Sequence, residues 1–102
     1  MNANAEEFGL NTKTLSALRS LFKGHQKIER VIVYGSRAKG NYRPGSDIDL
    51  TMIAPEMSLS EMMKIQSEID DLMLAHKVDL SLFHQLENED LKSHIERVGR
   101  DL

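Results

Sequence analysis

Apolar residues recur along the chain in spacings that predict three helices and three strands. Spacings of three and four, typical of a helix with one buried face, occur within residues 15–22, 62–73 and 91–98. Runs rich in β-branched residues, or alternating between apolar and polar residues, occur at 28–34, 47–53 and 77–83 and are typical of strands. The predicted order is therefore helix, strand, strand, helix, strand, helix. This order indicates an α/β (α+β) protein with a small mixed β-sheet flanked by helices.

The longest predicted helix has a clear start signal. Ser58 and Glu61 form a capping box, in which a hydroxyl and a carboxylate each satisfy a free N–H group at the helix start. We expect this helix to run from about Leu59 to His76. Spacings of three and four residues predict that its core-facing stripe consists of Met62, Ile65, Ile69, Leu72 and Met73.

The composition is that of an ordinary globular chain. It is 40% hydrophobic and 28% charged with a formal net charge of -3, which is too acidic for general nucleic-acid binding. It contains no cysteine, which excludes disulfides and thiolate chemistry. No run of about 20 apolar residues predicts a membrane span, and residues 1–8 lack the apolar run of a signal peptide. We expect one domain over residues 1–102, located in the cytoplasm.

Three carboxylates fall on two of the predicted strands. Asp47 and Asp49 are two residues apart, so both side chains can face one site while the intervening residue enters the core. Asp79 occupies a similar position in the third strand, and the three converge if that strand lies beside the second. Carboxylate oxygens suit Mg²⁺, and together with a triphosphate they can hold two ions. Asp79 would then activate an attacking hydroxyl, as metal ligand or as base.

A basic, glycine-containing loop separates the first two strands. Gly35 permits close approach of the backbone, and Ser36 can cap a short helix whose N–H groups point at phosphate oxygens. Arg37, Lys39 and Arg43 add positive charge where a triphosphate would lie. The loop and the carboxylates together predict a site that handles a nucleotide triphosphate.

The complete motif is more specific than its parts. Two acidic residues at a spacing of two are most often a solvated strand face. Gly35-Ser36, ten further residues and then Asp47-Ile48-Asp49 should arise by chance in only about one chain in a thousand of this length. This string resembles the signature of the DNA polymerase β-like nucleotidyltransferase superfamily. The short chain is most similar to its minimal nucleotidyltransferase (MNT) family.

The resemblance implies roles for individual residues and a partner. Gly35 and Ser36 match the loop that meets the nucleotide phosphates, Asp47 and Asp49 match two metal ligands, and Asp79 matches the third carboxylate. Arg37 matches a common basic position of the minimal proteins. Such proteins are typically paired with a small helical HEPN toxin, as the antitoxin. The resemblance thus implies transfer of AMP from ATP to a tyrosine of that toxin.

Two other functions remain open on these residues. The chain could be a catalytically silent nucleotide-binding antitoxin that inhibits its partner by complex formation. It could also be the catalytic subunit of a small-molecule adenylyltransferase of the aminoglycoside type. Self-association into a homo-oligomer is left open as well, and direct nucleic-acid binding is not expected.

The remaining polar candidates are assigned structural roles. His25, His76, His84 and His94 lack the mutual spacing of metal ligands, so surface or boundary positions are expected for all four. Tyr34 is expected to pack beside the loop. Tyr42, inside the loop, is expected either to stack on a base or to be exposed.

Overall fold

The computed structural model describes residues 7–102, so expectations that concern residues 1–6 lie outside it. The bounds of the regular elements are α1 Thr12–Lys23, β1 Arg30–Tyr34, α2 Ser36–Lys39, β2 Ile48–Ile53, α3 Leu59–Asp71, β3 Val78–Leu82, α4 Glu89–Val98 and β4 Arg100–Asp101. The predicted order is confirmed, α2 is the short helix expected after Gly35, and two short elements are additional: β4 and a 3₁₀ turn at Phe83–Gln85. Within the described range no helix combines the length and the apolarity needed to cross a bilayer.

The four strands form one mixed sheet in the order β3-β2-β1-β4. Strand β1 is antiparallel to both β2 and β4, whereas β2 and β3 are parallel. Two parallel neighbours cannot be joined by a tight turn, and α3 provides the crossover that brings the chain back. The mixed sheet flanked by helices confirms the predicted fold class.

One face of the sheet carries the hydrophobic core. Alternate residues of β2 and β3 are paired there, and α1 and α3 cover them because each helix has one apolar side. The paired strand residues are Ile48 with Val78, Leu50 with Leu80, and Met52 with Leu82. The helices contribute Leu15, Leu18, Phe22, Ile65 and Ile69. On the opposite face, α4 lies over β1 and buries Ile32 and Ile95.

Helix α3 begins where the capping box predicts and ends earlier than expected. The Ser58 hydroxyl accepts from the Glu61 N–H at 3.1 Å, and the Glu61 carboxylate accepts from the Ser58 N–H at 2.9 Å. The helix stops at Asp71, and Met73 adopts a left-handed conformation with φ of 56° that redirects the chain toward β3. Leu72 and Met73 are therefore 37% and 86% exposed, and their predicted place in the core-facing stripe is wrong.

Candidate functional site

The polar face of β2 and β3 brings two of the three predicted carboxylates side by side. Asp49 and Asp79 are directly paired in the parallel register, and paired residues of neighbouring strands share a face of the sheet. Asp47 immediately precedes β2 and is exposed, as is Asp79, whereas Asp49 is half-buried. The third strand thus lies beside the second, which is the arrangement that convergence requires.

The electrostatics of this face favour a cation. Burial raises the pKa of the Asp49 carboxyl, and the Asp79 and Asp47 carboxylates raise it further, while the His94 imidazole acts in the opposite direction. Within residues 7–102 no three carboxylate or imidazole side chains are grouped closely enough to enclose an ion by themselves. An open set of oxygen donors suits Mg²⁺, which keeps several waters and is commonly shared between one or two carboxylates and substrate phosphates.

Gly35 lies directly against the Asp49 carboxylate. Its φ of 73° and ψ of -154° fall in a region that side chains rarely adopt, and a Cβ built there would collide with the Asp49 carboxylate oxygen. The pairing of Tyr34 with Asp49 across β1 and β2 places Gly35 there, because Gly35 follows Tyr34 directly. Only glycine fits between the end of β1 and this carboxylate.

The loop after Gly35 begins with one turn of helix, α2. Gly35 is its N-cap and Ser36 is its first residue, so the prediction that Ser36 caps this helix is wrong. Lys39 and Arg43 are both exposed on this loop. The Arg43 N–H donates to the Ser46 hydroxyl at 2.9 Å, which closes the loop just before Asp47.

Arg37 does not lie where a triphosphate contact would require. Its side chain is 2% exposed, and its guanidinium donates to protein carbonyls and to a histidine ring rather than facing solvent. The predicted contact of Arg37 with phosphate therefore has no support in the geometry. Tyr42 lies with its ring 5.1 Å from this guanidinium and over Gly9, so both loop side chains have partners within the protein.

His94 and Tyr34, to which the sequence assigned only structural roles, border the site. His94 of α4 accepts a hydrogen bond at Nε2 from the Gly35 N–H at 3.1 Å, and its ring meets that of Tyr34 edge-on with centroids 6.2 Å apart. Burial raises the pKa of the Tyr34 phenol, and the Asp49 carboxylate adds to the rise. His94 lies three residues after Leu91 and four before Val98, so its position on the apolar stripe of α4 was the available signal.

Comparison with known sequences identifies a family and a named relative. The family model described as "Polymerase beta, Nucleotidyltransferase" matches residues 16–102. A Methanocaldococcus jannaschii protein named "Putative protein adenylyltransferase MJ1217" is 30% identical over 92 residues. That match covers 82% of this chain and 93% of the relative.

Comparison with solved structures identifies the same fold in two toxin–antitoxin structures. One, a toxin–antitoxin with AMP-PNP, has a TM-score of 0.67 at 17% identity and covers 86% of this chain and 70% of the other. The second, a mutant of the toxin–antitoxin MntA-HpeT, has a TM-score of 0.66 at 15% identity and covers 90% and 71%. At these identities the likeness establishes the fold.

Proposed function

The chain belongs to the polymerase beta nucleotidyltransferase family, and within that family we propose that it transfers AMP from ATP to a hydroxyl of a partner protein. The proposed acceptor is a tyrosine of a HEPN-family toxin, which makes this protein the antitoxin. The 30% identical relative named as a protein adenylyltransferase supports a protein acceptor. The two toxin–antitoxin structures with this fold, one of them with the ATP analogue AMP-PNP, support the partner and the nucleotide.

The parallel register of β2 and β3 is the observation that carries the proposal. It sets Asp49 beside Asp79 and, through the pairing of β1 with β2, sets the Gly35 backbone against the same carboxylate. We assign Asp47, Asp49 and Asp79 to hold Mg²⁺, as two ions when the triphosphate is present. When bound, the metal would supply Lewis-acid stabilisation of the charge that develops on the phosphate oxygens.

The remaining loop residues are assigned to the nucleotide. Gly35 lets the backbone approach closely beside the carboxylates, and Ser36 offers its backbone N–H group at the start of α2, whereas the Gly35 N–H already donates to His94. Lys39 and Arg43 are exposed and can approach the triphosphate, whose negative charge they would offset. Arg37, predicted as a third cation of this set, is left out because its guanidinium is buried.

The reaction follows from these assignments. The oxygen of the acceptor hydroxyl attacks the α-phosphorus of ATP, and its proton passes to the Asp79 carboxylate. The bond between the α-phosphorus and the oxygen bridging to the β-phosphate breaks, and pyrophosphate leaves with that electron pair. The products are an AMP ester of the acceptor and pyrophosphate.

The test is transfer of label from ATP to the protein encoded next to this chain. Label at the α-phosphate should appear on the partner in the presence of Mg²⁺, and label at the γ-phosphate should not, because it leaves with pyrophosphate. Asp47→Asn should lower transfer by about a hundredfold, because a metal ligand loses its charge. Asp71→Asn, which changes an exposed carboxylate at the end of α3, is the control and should leave transfer unchanged.

Three outcomes distinguish this proposal from the others. Equal labelling by wild type and Asp47→Asn would contradict it. Neutralisation of the partner by Asp47→Asn at equimolar concentration, without labelling, would favour inhibition by complex formation. Labelling of an aminoglycoside with no protein acceptor present would favour a small-molecule adenylyltransferase.

A further inference from the structure

Arg37 is a buried cation whose partners come from three separate parts of the chain. They are the segment before α1, the loop before β2 and the loop before β3. We propose that Arg37 is a positioning residue, which holds the starts of β2 and β3 together and so sets the spacing of the carboxylates on the two strands. The proposal rests on the assignment of those carboxylates to the reaction.

The strongest contact is with the segment that leads into β2. Arg37 Nη2 and Nε donate to the Ser46 carbonyl at 2.8 and 3.1 Å, and Nη2 also donates to the Pro44 carbonyl at 3.4 Å. The Ser46 carbonyl belongs to the peptide bond that joins Ser46 to Asp47. A shift of the guanidinium therefore moves the backbone of the first carboxylate directly.

The second contact is with the segment that leads into β3. Arg37 Nη2 lies 3.3 Å from Nδ1 of His76, and because a guanidinium can only donate, Nδ1 is the acceptor in this contact. His76 comes three residues before Asp79, and the next residue, Lys77, accepts at its carbonyl from the Ile48 N–H at 2.9 Å. The start of β3 is thereby joined both to the guanidinium and to the start of β2.

The third contact fixes the guanidinium itself. Nη1 donates to the Phe8 carbonyl at 2.9 Å and to the Gly9 carbonyl at 3.4 Å, and the Tyr42 ring packs against the same group. Within residues 7–102 none of its hydrogen-bond acceptors is a carboxylate. Burying a cation without a carboxylate is costly unless its donors are satisfied, so the segments must remain closed around it. Only the planar guanidinium of arginine can donate hydrogen bonds to all three segments at once.

The test compares Arg37→Lys with Arg30→Lys by amide hydrogen exchange. Lysine keeps the charge but loses the planar guanidinium. Arg30 serves as the control, because it forms an exposed ion pair with Asp101 and begins β1, at the opposite end of that strand from Gly35. The Ser46 amide reports the segment before β2, and the Ile48 amide reports the junction with β3. In Arg37→Lys both should exchange at least about tenfold faster, while the Val33 amide in the centre of β1 changes little.

Activity supplies a second readout. Arg37→Lys should transfer label about tenfold more slowly at saturating ATP, since displaced carboxylates lower kcat. Arg30→Lys should resemble wild type in both measurements. Uniformly faster exchange at Ser46, Ile48 and Val33 would overturn the inference, because it would show loss of general stability alone. An inactive wild type would count against the proposed function, while the exchange pattern would still decide the role of Arg37.

A pair of variants at His76 tests the contact with β3 even if Arg37→Lys fails to fold. Asparagine places its carbonyl oxygen near the position of Nδ1 and can still accept, whereas leucine cannot. His76→Leu should speed exchange at Ile48 and not at Ser46, and His76→Asn should restore the wild-type rate. Equal rates in the two variants would overturn the inference.

Discussion

The two faces of the β2–β3 pair share one backbone and one register but differ in what they do. On the core face Ile48, Leu50 and Met52 lie opposite Val78, Leu80 and Leu82, and all are buried. On the other face Asp49 lies opposite Asp79, and Thr51 lies opposite Ser81. A slip of one residue would move every apolar side chain out of the core. The apolar face therefore determines which carboxylates meet.

The side chains of the polar face change in character from one end of the strands to the other. At its far end the Ser81 hydroxyl donates to the Thr51 hydroxyl at 2.8 Å, and Thr51 is fully buried. The carboxylates lie at the near end, where Asp49 and Asp79 are each the second residue of a strand. Paired hydroxyls thus complete the packing, and on β2 and β3 the charged side chains are confined to the end that adjoins the Gly35 loop.

The largest expected effect comes from a substitution that alters only the polar face of the β2–β3 pair. Asp49→Asn preserves the size of the side chain and removes its charge, so label transfer should fall about a thousandfold, equivalent to about 4 kcal/mol. The melting temperature should not fall, because the core face is untouched. Thermal unfolding and label transfer are measured on the same preparation, with Asp71→Asn as control. Loss of both activity and stability would show that the two faces are not separable.

The second largest effect is expected from a substitution that alters only the core face of the β2–β3 pair. Leu50→Ala, next in the chain to Asp49, removes a side chain that is 0% exposed and should lower the free energy of unfolding by about 3 kcal/mol. Leu59→Ala makes the same chemical change where leucine is 52% exposed and should cost far less. Denaturant unfolding measures both. If the two variants lost equal stability, the assignment of Leu50 to the core would be wrong.

The smallest effect concerns pH. Because the pKa of Asp49 is raised in the folded protein, the folded state binds this proton more tightly than the unfolded state. The stability of the protein without nucleotide or divalent metal should therefore fall as pH rises through the window between the ordinary and the raised value. Asp49→Asn lacks this loss, so its melting temperature relative to wild type should rise as the pH increases above the ordinary pKa of an aspartate. A constant difference between the two would contradict the crowding of carboxylates at Asp49.

Most of the fold followed from local patterns. The alternation in β2 and β3, the capping box at Ser58 and the helical stripes each depend on residues a few positions apart. The apolar pattern predicts the end of α3 too late, because Leu72 and Met73 continue the helical spacing beyond the point where the chain turns toward β3. Strand β4 is two residues long and is formed only by its pairing with Ile32 and Val33. No local sequence pattern predicts that pairing.

The candidate site divides in the same way. His94 meets Gly35 across 59 positions of sequence, and nothing near either residue indicates the contact. Asp79 was identified from its strand alternation, but its pairing with Asp49 depended on which strands are neighbours. The site could thus be predicted as a set of residues and not as an arrangement.

The sequence by itself determined the spacing of Asp47 and Asp49, their separation from Gly35 and Ser36, and the alternation that puts Asp79 on a polar face. Tertiary structure alone decided that Asp79 stands beside Asp49 and that Arg37 turns inward. The physical reason lies in the partners of Arg37. Four of them are backbone carbonyls, at Phe8, Gly9, Pro44 and Ser46. Every residue carries such a carbonyl, so a hydrogen bond to one cannot be predicted from the sequence of side chains.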